Sequence, residues 1–383
     1  MRDQKTSLNA ICPYFTMFPL NFPLSILNKR VSSNDWVMDP FCGRGTVAFA
    51  SRILGLSSIG IDSNPVAVAI TEGKIVNTSP ESIVRAANQI LEEVAEPADL
   101  PSGEFWNWAF HKDVLRVVCR LREGLLRDCR SKARKALRAI LLGALHGPQG
   151  TLSQSYLSNQ SPRTFSPKPR YAVNFWKVRN MRPVAVDVMN IISSRASRYY
   201  ETPIPMVSGI ALHGDSRDPD LYSKMGLSVS VKWIITSPPY FGIRTYIPDQ
   251  WLRLWLLGGK PQVDYSTDGQ ISHSNTQQFS ADLRRVWINV ANFAAPNARM
   301  VIRMGGINSR KADHRKLIKD SLYESGWTIS TIKSAGYASQ GKRQAQHLKF
   351  TKQGALGEYD IWARRERRCD ATMSRPESHI RHD

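Results

Sequence analysis

One octapeptide, Asp39-Pro40-Phe41-Cys42-Gly43-Arg44-Gly45-Thr46, constrains the fold more than any other stretch of this chain. Before it, the apolar run from Asp35 to Phe41 has the length of a buried strand. After it, Thr46 to Leu56 places apolar residues at helical spacing. Gly43 and Gly45 between strand and helix allow a turn that passes close to a ligand, which a Cβ would obstruct. Ser58 to Asp62 reads as a second strand and Pro65 to Gly73 as a second helix. Strand, glycine turn, helix, strand is the start of a doubly wound, Rossmann-like parallel α/β sheet.

Helical periodicity takes over from about Ser79 to Ser208. The spacing predicts a helix near Leu125 to Leu145, with Leu126, Cys129, Ala133, Leu137, Ile140 and Ala144 on one face. Arg127, Arg130, Arg134 and Arg138 form a stripe elsewhere on that cylinder, either a solvated face or a nucleic-acid contact. Gly147 to Tyr171 reads as a long loop. Strands return at Ile210–Gly214, Val231–Ser237 and Arg299–Met304. A helix follows at Lys316–Ser325, and closing strands at Trp327–Ser334 and Leu348–Arg364. Trp251, Leu252, Trp255 and Leu256 recur at helical spacing and read as core. The expected organisation is a first half-domain at 1–78, a mostly helical insertion at 79–207, a second half at 208–365 and a charged tail at 366–383.

Composition narrows the partners. Lys and Arg number 52 against 32 Asp and Glu, a net charge of +20 that attracts polyanions, nucleic acid above all. The five cysteines form no close pair and the eight histidines have no zinc-like spacing with them, so neither a metal site nor a disulfide framework is expected. The polar N-terminus and the lack of a long apolar run predict an intracellular, cytoplasmic chain without a membrane span.

Two cofactors suit the glycine turn. Gly43, Gly45 and Ala48 satisfy the dinucleotide fingerprint, and Asp62 at the next strand end can bind both hydroxyls of a ribose. Asp39 tips the choice towards S-adenosylmethionine over NAD: a carboxylate there pairs with an amino group but would repel a pyrophosphate. Asp215, closing another strand, is a candidate acceptor for the cofactor's adenine amine, or an ordinary turn aspartate.

Thr236-Ser237-Pro238-Pro239-Tyr240 follows an apolar strand. The two prolines fix φ and remove N–H donors, leaving a rigid turn that offers carbonyl oxygens, the Ser237 hydroxyl and the Tyr240 face. Such acceptors can hold the hydrogens of an exocyclic base amine, and the ring can stack on a base taken out of the helix. A sulfonium methyl donor then needs proximity more than a metal or a covalent nucleophile.

With these motifs the chain resembles the amino-methyltransferases of DNA, which make N4-methylcytosine and N6-methyladenine. DPFCGRGT is similar to their cofactor motif, GIDSNP to the next acidic strand end, TSPPY to the catalytic motif, and residues 13 to 27 to the segment that closes over the methionine end. The resemblance implies a class I methyltransferase sheet that binds S-adenosylmethionine. Cofactor contacts would come from Thr16, Phe18, Asp39, Phe41, Gly43, Gly45, Thr46, Asp62, Asn64 and Asp215, with Ser237, Pro238, Pro239 and Tyr240 catalytic. It also implies double-stranded DNA as partner, a bacterial or phage origin beside the nucleoid, frequent association with restriction or defence proteins, and target recognition in the insertion. Arg163, Lys168 and Arg170 are the candidate phosphate contacts, while Lys342, Arg343, Lys349 and Lys352 either touch phosphates or merely flank an exposed hairpin. Cytosine N4 is favoured over adenine N6, because Ser237 rather than Asp or Asn heads the motif. RNA methylation and an inactive DNA-binding module are the alternatives.

Overall fold

A computed structural model describes residues 4–14, 18–28, 30–147, 155–159, 168–223, 225, 229, 231–242, 247–263, 265, 271, 273, 275–305, 312–337 and 357–366. Its centre is a seven-stranded sheet in the order β3-β2-β1-β4-β5-β7-β6. The strands are β1 Trp36–Asp39, β2 Ser57–Asp62, β3 Gly209–His213, β4 Val231–Thr236, β5 Ala294–Met304, β6 Trp327–Tyr337 and β7 Gly357–Arg365. The first five pair in parallel. β7 lies antiparallel between β5 and β6. The order reverses at β1, flanked by β2 and β4, the place in an open α/β sheet where ligands bind beyond the carboxyl ends of the strands. This is the class I methyltransferase sheet that the motifs imply.

Alternation along the strands sends side chains to opposite faces. On β1, Met38 joins one core cluster and Val37 another. On β5, Met300 and Ile302 join the first and Val301 the second. The first face is covered by α10 Pro219–Ser223, α12 Thr276–Phe293 and α13 His314–Leu322; the second by α1 Asn21–Leu27 and α2 Thr46–Ile53. Helix α12 escaped the periodicity reading. It is capped by Asn275, whose Oδ1 accepts from Gln278 N at 2.7 Å.

Between α3 Pro65–Ile75 and β3 the described residues form α4 Pro80–Glu93, α5 Glu104–Ala109, α6 Lys112–Arg127, α7 Lys132–Ala144, α8 Pro169–Val178 and α9 Val188–Tyr200. These helices share one core with Phe49 of α2 and with Val66, Ala67, Ala69 and Ile70 of α3, and with Trp251 and Trp255 of α11 Trp251–Leu256. The four α11 residues read as core, Trp251, Leu252, Trp255 and Leu256, are all buried. The helix expected over Leu125–Leu145 is two. Asp128 leaves the helical region at φ −152°, and Ser131 caps α7 by accepting from Arg134 N at 3.1 Å. The break moves Leu126 off the expected apolar face, and it is 46% exposed.

The arginine stripe divides: Arg134 and Arg138 are largely covered, whereas Arg127 and Arg130 stay exposed. Arg127 pairs with Glu123, Arg130 with Asp128 at 2.9 Å, Arg134 with Glu93 at 2.8 Å and Arg138 with Glu72. The two covered guanidinium groups are engaged within the chain, while the exposed pairs of Arg127 and Arg130 are weak ones. Among the described residues no helix is long and apolar enough to cross a membrane.

Helices α3 and α7 cross at Gly73, where a Cβ would fall 2.3 Å from the Ala139 Cβ. Tyr200 Oη donates to the Gly73 carbonyl at 2.7 Å. Overpacking of this kind costs about 1–3 kcal/mol, more than the roughly 1 kcal/mol that alanine gains over glycine in a helix. Gly73→Ala is therefore expected to lower the midpoint of urea unfolding. A midpoint equal to or above that of the parent would show that the two helices do not approach so closely.

Candidate active site

The glycine turn is built by close approach. Gly43 and Gly45 have φ of 50° and 71°, in the left-handed region that favours glycine. A Cβ on Gly45 would come within 2.6 Å of Thr71 Oγ1, on α3. Thr71 Oγ1 also donates to the Gly43 carbonyl at 3.2 Å. Thr46 then opens α2 and is buried. Phe41 packs edge-on to Trp287, with centroids 6.0 Å apart, so its ring is held by α12.

Asp39 ends β1 and is only 2% exposed. Its Oδ1 accepts from Thr236 Oγ1 at 2.7 Å and from Phe41 N at 3.1 Å. Its Oδ2 is buried with no hydrogen-bond partner among the described residues. Burial pushes its pKa up to about 7, against the lowering effect of the Thr236 and Phe41 bonds. A half-satisfied buried carboxylate calls for a donor, best a cationic one.

Asp62 ends β2 and accepts Gly43 N at 2.8 Å on Oδ2 and Asn64 N at 2.8 Å on Oδ1. Desolvation raises it to about 6, opposed by these two N–H bonds. A carboxylate has about four lone-pair sites, so acceptor capacity remains for the hydroxyls of a ribose. Asn64 caps α3 through Val66 N at 2.9 Å and donates from Nδ2 to Tyr14 Oη at 3.1 Å. The N-terminal segment thus lies against the glycine turn, with Tyr14 Cε1 3.9 Å from where a Gly43 Cβ would be. Phe18 turns to the core, edge-on to Phe22 at 5.1 Å. Thr16 lies outside the described residues.

Asp215 follows β3 at the same edge, but its carboxylate is gripped by Arg217: Nη2 to Oδ2 is 2.6 Å and Nε to Oδ1 3.0 Å. Arg217 Nη1 reaches on to Asp282 Oδ2, on α12, at 2.9 Å. The Arg217 bridge gives Asp215 a structural partner that sequence reading did not assign.

Ser237 to Tyr240 leave the end of β4 as a turn, with Pro238 buried and Ser237, Pro239 and Tyr240 half-buried. Thr236, one residue before, is the group bonded to Asp39, so the turn begins beside the unpartnered oxygen. Tyr240 Oη donates to Glu358 Oε1 at 3.3 Å, and Gly242 N donates to His273 Nδ1 at 3.1 Å. Sequence reading missed Thr236, Tyr14, Arg217, His273 and Glu358. Thr236 and Tyr14 lay inside segments already singled out. His273 and Glu358 stand 31 and 118 residues from their partners and have no local signal.

Lys168 and Arg170 begin α8 and are exposed, with Lys168 Nζ 5.8 Å from the Tyr265 ring. They stand apart from the Asp39 cluster in sequence and by element. Arg163, Lys342, Arg343, Lys349 and Lys352 lie outside the described residues.

Residues 2–73 match a family of N6/N4 type described as DNA methylase. The chain is 38% identical over 64 residues to the type II methyltransferase M.BsoBI of Geobacillus stearothermophilus, covering 16% of this chain and 13% of that one. It is 30% identical over 82 residues to the type II methyltransferase M.MthZI of Methanothermobacter thermautotrophicus, 21% of this chain and 23% of that one. These matches span less than a quarter of either relative. Among solved structures, an rRNA methyltransferase from Streptomyces viridochromogenes aligns with 95% of this chain and 94% of its own at 11% identity, with a TM-score of 0.33. An S-adenosylmethionine-dependent methyltransferase from Methanosarcina mazei aligns with 92% of this chain and 100% of its own at 10% identity and the same TM-score of 0.33. The sequence match covers the N-terminal segment, the glycine turn and the Asp62 strand, and over residues 2–73 this chain carries the signature of the DNA amino-methyltransferases.

Proposed function

We propose that this protein transfers a methyl group from S-adenosylmethionine to an exocyclic amine of a base in double-stranded DNA, with cytosine N4 as the favoured target. The observation that carries this reading is the Asp39 carboxylate, with one oxygen tied to Thr236 at the head of the Ser-Pro-Pro-Tyr turn and the other buried without a hydrogen-bond partner among the described residues. The cofactor, when bound, supplies a sulfonium-activated methyl. Asp39 holds its ammonium through Oδ2, and Asp62 takes the ribose hydroxyls. The Ser237 hydroxyl and the Pro238 carbonyl accept the hydrogens of the target amine, drawing its lone pair out of the ring. Tyr240 stacks on the extruded base. Asp215, already held by Arg217, retains lone pairs for the adenine amine.

DNA phosphates are held from the insertion. Unlike the paired arginines of α6 and α7, Lys168 and Arg170 have no ion pair among the described residues and stand with the exposed rings of Tyr171 and Tyr265. Restriction or defence proteins are the expected companions of such an enzyme, and a bacterial cytoplasm its setting.

The carboxylate form of Asp39 binds the ammonium, and its pKa in the ligand-free protein is about 7. Cofactor affinity, measured by calorimetry, should therefore fall about tenfold per unit as pH drops below that value, and level off above it. Asp39→Asn should lose most of the affinity and the inflection near pH 7, leaving only that of Asp62, which burial raises to about 6. An affinity flat from pH 5.5 to 7.5 would overturn the assignment.

Nucleoside mass spectrometry of duplex DNA methylated in vitro should show N4-methylcytosine. N6-methyladenine instead would change the base and leave the mechanism standing, whereas transfer to rRNA or tRNA alone would move the substrate class. Ser237→Ala should lower turnover on the order of a hundredfold, with cofactor affinity little changed.

DNA affinity should fall log-linearly with salt, and each of Lys168→Ala and Arg170→Ala should reduce the slope by about 0.9. A slope unmoved by the double variant would remove these residues from the interface.

A further inference from the structure

The catalytic turn is supported from a second strand, β7. Because β7 runs antiparallel beside β5, pairing Tyr359 with Met304, its first residues arrive at the edge where Gly305 follows the end of β5. β4 delivers the turn to that same edge, since Thr236 pairs with Ile302 of β5. There the Tyr240 hydroxyl donates to Glu358 Oε1 at 3.3 Å. Glu358 is 4% exposed, a degree of burial that a carboxylate tolerates only when its oxygens are bonded. Gly305 backs the ring: a Cβ there would lie 3.0 Å from Tyr240 Cε2 and 3.0 Å from Glu358 Cγ. The phenol is thus held at its hydroxyl and along one edge.

We propose that Glu358 is the positioning residue for Tyr240, fixing the plane of the ring against which the target base stacks. This rests on the reading of Tyr240 as that stacking platform. A base stacked on a ring follows the ring's tilt, and the reacting nitrogen lies several ångströms from the stacking axis. A small rotation of Tyr240 therefore swings the amine off the methyl, and a misplacement near 1 Å can cost on the order of a hundredfold in rate. Glu358 touches neither the amine nor the methyl donor in this assignment. It acts through the phenol, whose hydroxyl donates to it at 3.3 Å. Gly305 is the second half of the device, since the backbone must come this close for the ring to be clamped.

The test is a double-mutant cycle on the full chain with duplex DNA. Glu358→Ala should lower kcat on the order of tenfold or more, with KM for DNA and cofactor little moved. Glu358→Gln, which keeps an acceptor, should recover most of that loss. Tyr240→Phe should lose about as much as Glu358→Ala, and the double variant no more than either single one. Parent-like turnover in Glu358→Ala, or losses that multiply in the double variant, would overturn the proposal. The same cycle is read in urea midpoints, where the two substitutions are expected to be non-additive and additive shifts would show that the contact does not form. If the parent chain moves no methyl to DNA, the functional reading falls, and the unfolding cycle still decides whether Glu358 holds Tyr240.

Discussion

Asp39 is a carboxylate in a place where folding alone gains nothing from a charge. It sits at the end of a central strand, almost wholly buried, with one oxygen bound to Thr236 and the other without a partner among the described residues. Folding raises its pKa to about 7 from an unfolded value near 4. Between these values the folded protein holds more protons than the unfolded chain. The stability this group contributes is present at acid pH and lost as pH rises through about 7. Above that pH the fold carries a buried charge of which only one oxygen is bonded among the described residues. Everything else in the crevice is arranged around it: β4 because Thr236 must reach Asp39, the Ser-Pro-Pro-Tyr turn because it begins at the next residue, and the glycine turn because Phe41 donates its N–H back to the same oxygen.

Helix α3 joins this centre to the helical insertion. On one side its Thr71 supports the glycine turn, touching the position a Gly45 Cβ would take and bonding the Gly43 carbonyl. On the other it meets α7 closely enough that Gly73 admits no Cβ. Asn64 caps the same helix and fastens Tyr14 of the N-terminal segment. The insertion is therefore built on the cofactor half of the sheet and shares a single core with it. Lys168 and Arg170 project from that same helical layer.

Much of the centre was legible in the sequence because its parts are local. A strand, two glycines and a helix N-terminus occupy a dozen residues, and both φ-positive glycines fall where the turn needs them. Asp39 and Asp62 stand at strand ends because the apolar runs before them end there. The two-proline turn could not continue β4 and does not. Less legible was the helical layer. A continuous period from Leu125 to Leu145 hid a break at Asp128–Ser131, since both helices contribute apolar residues to the same core.

By itself the sequence determined the strand–turn–helix nucleus, the identity of the carboxylates and the turn at Ser237, because backbone conformation and residue chemistry act there over a few neighbours. Tertiary structure alone decided the rest. Only the reversal of strand order at β1 brings Thr236 to Asp39 across 197 residues of chain. Only the antiparallel return of β7 sets Glu358 on Tyr240. Packing of α7 against α3 and α4 gave Arg134 and Arg138 the partners Glu93 and Glu72, taking them out of the free basic surface that their spacing suggested. In each case the deciding quantity is a distance between groups remote in sequence, which local propensity and hydrophobic period do not encode.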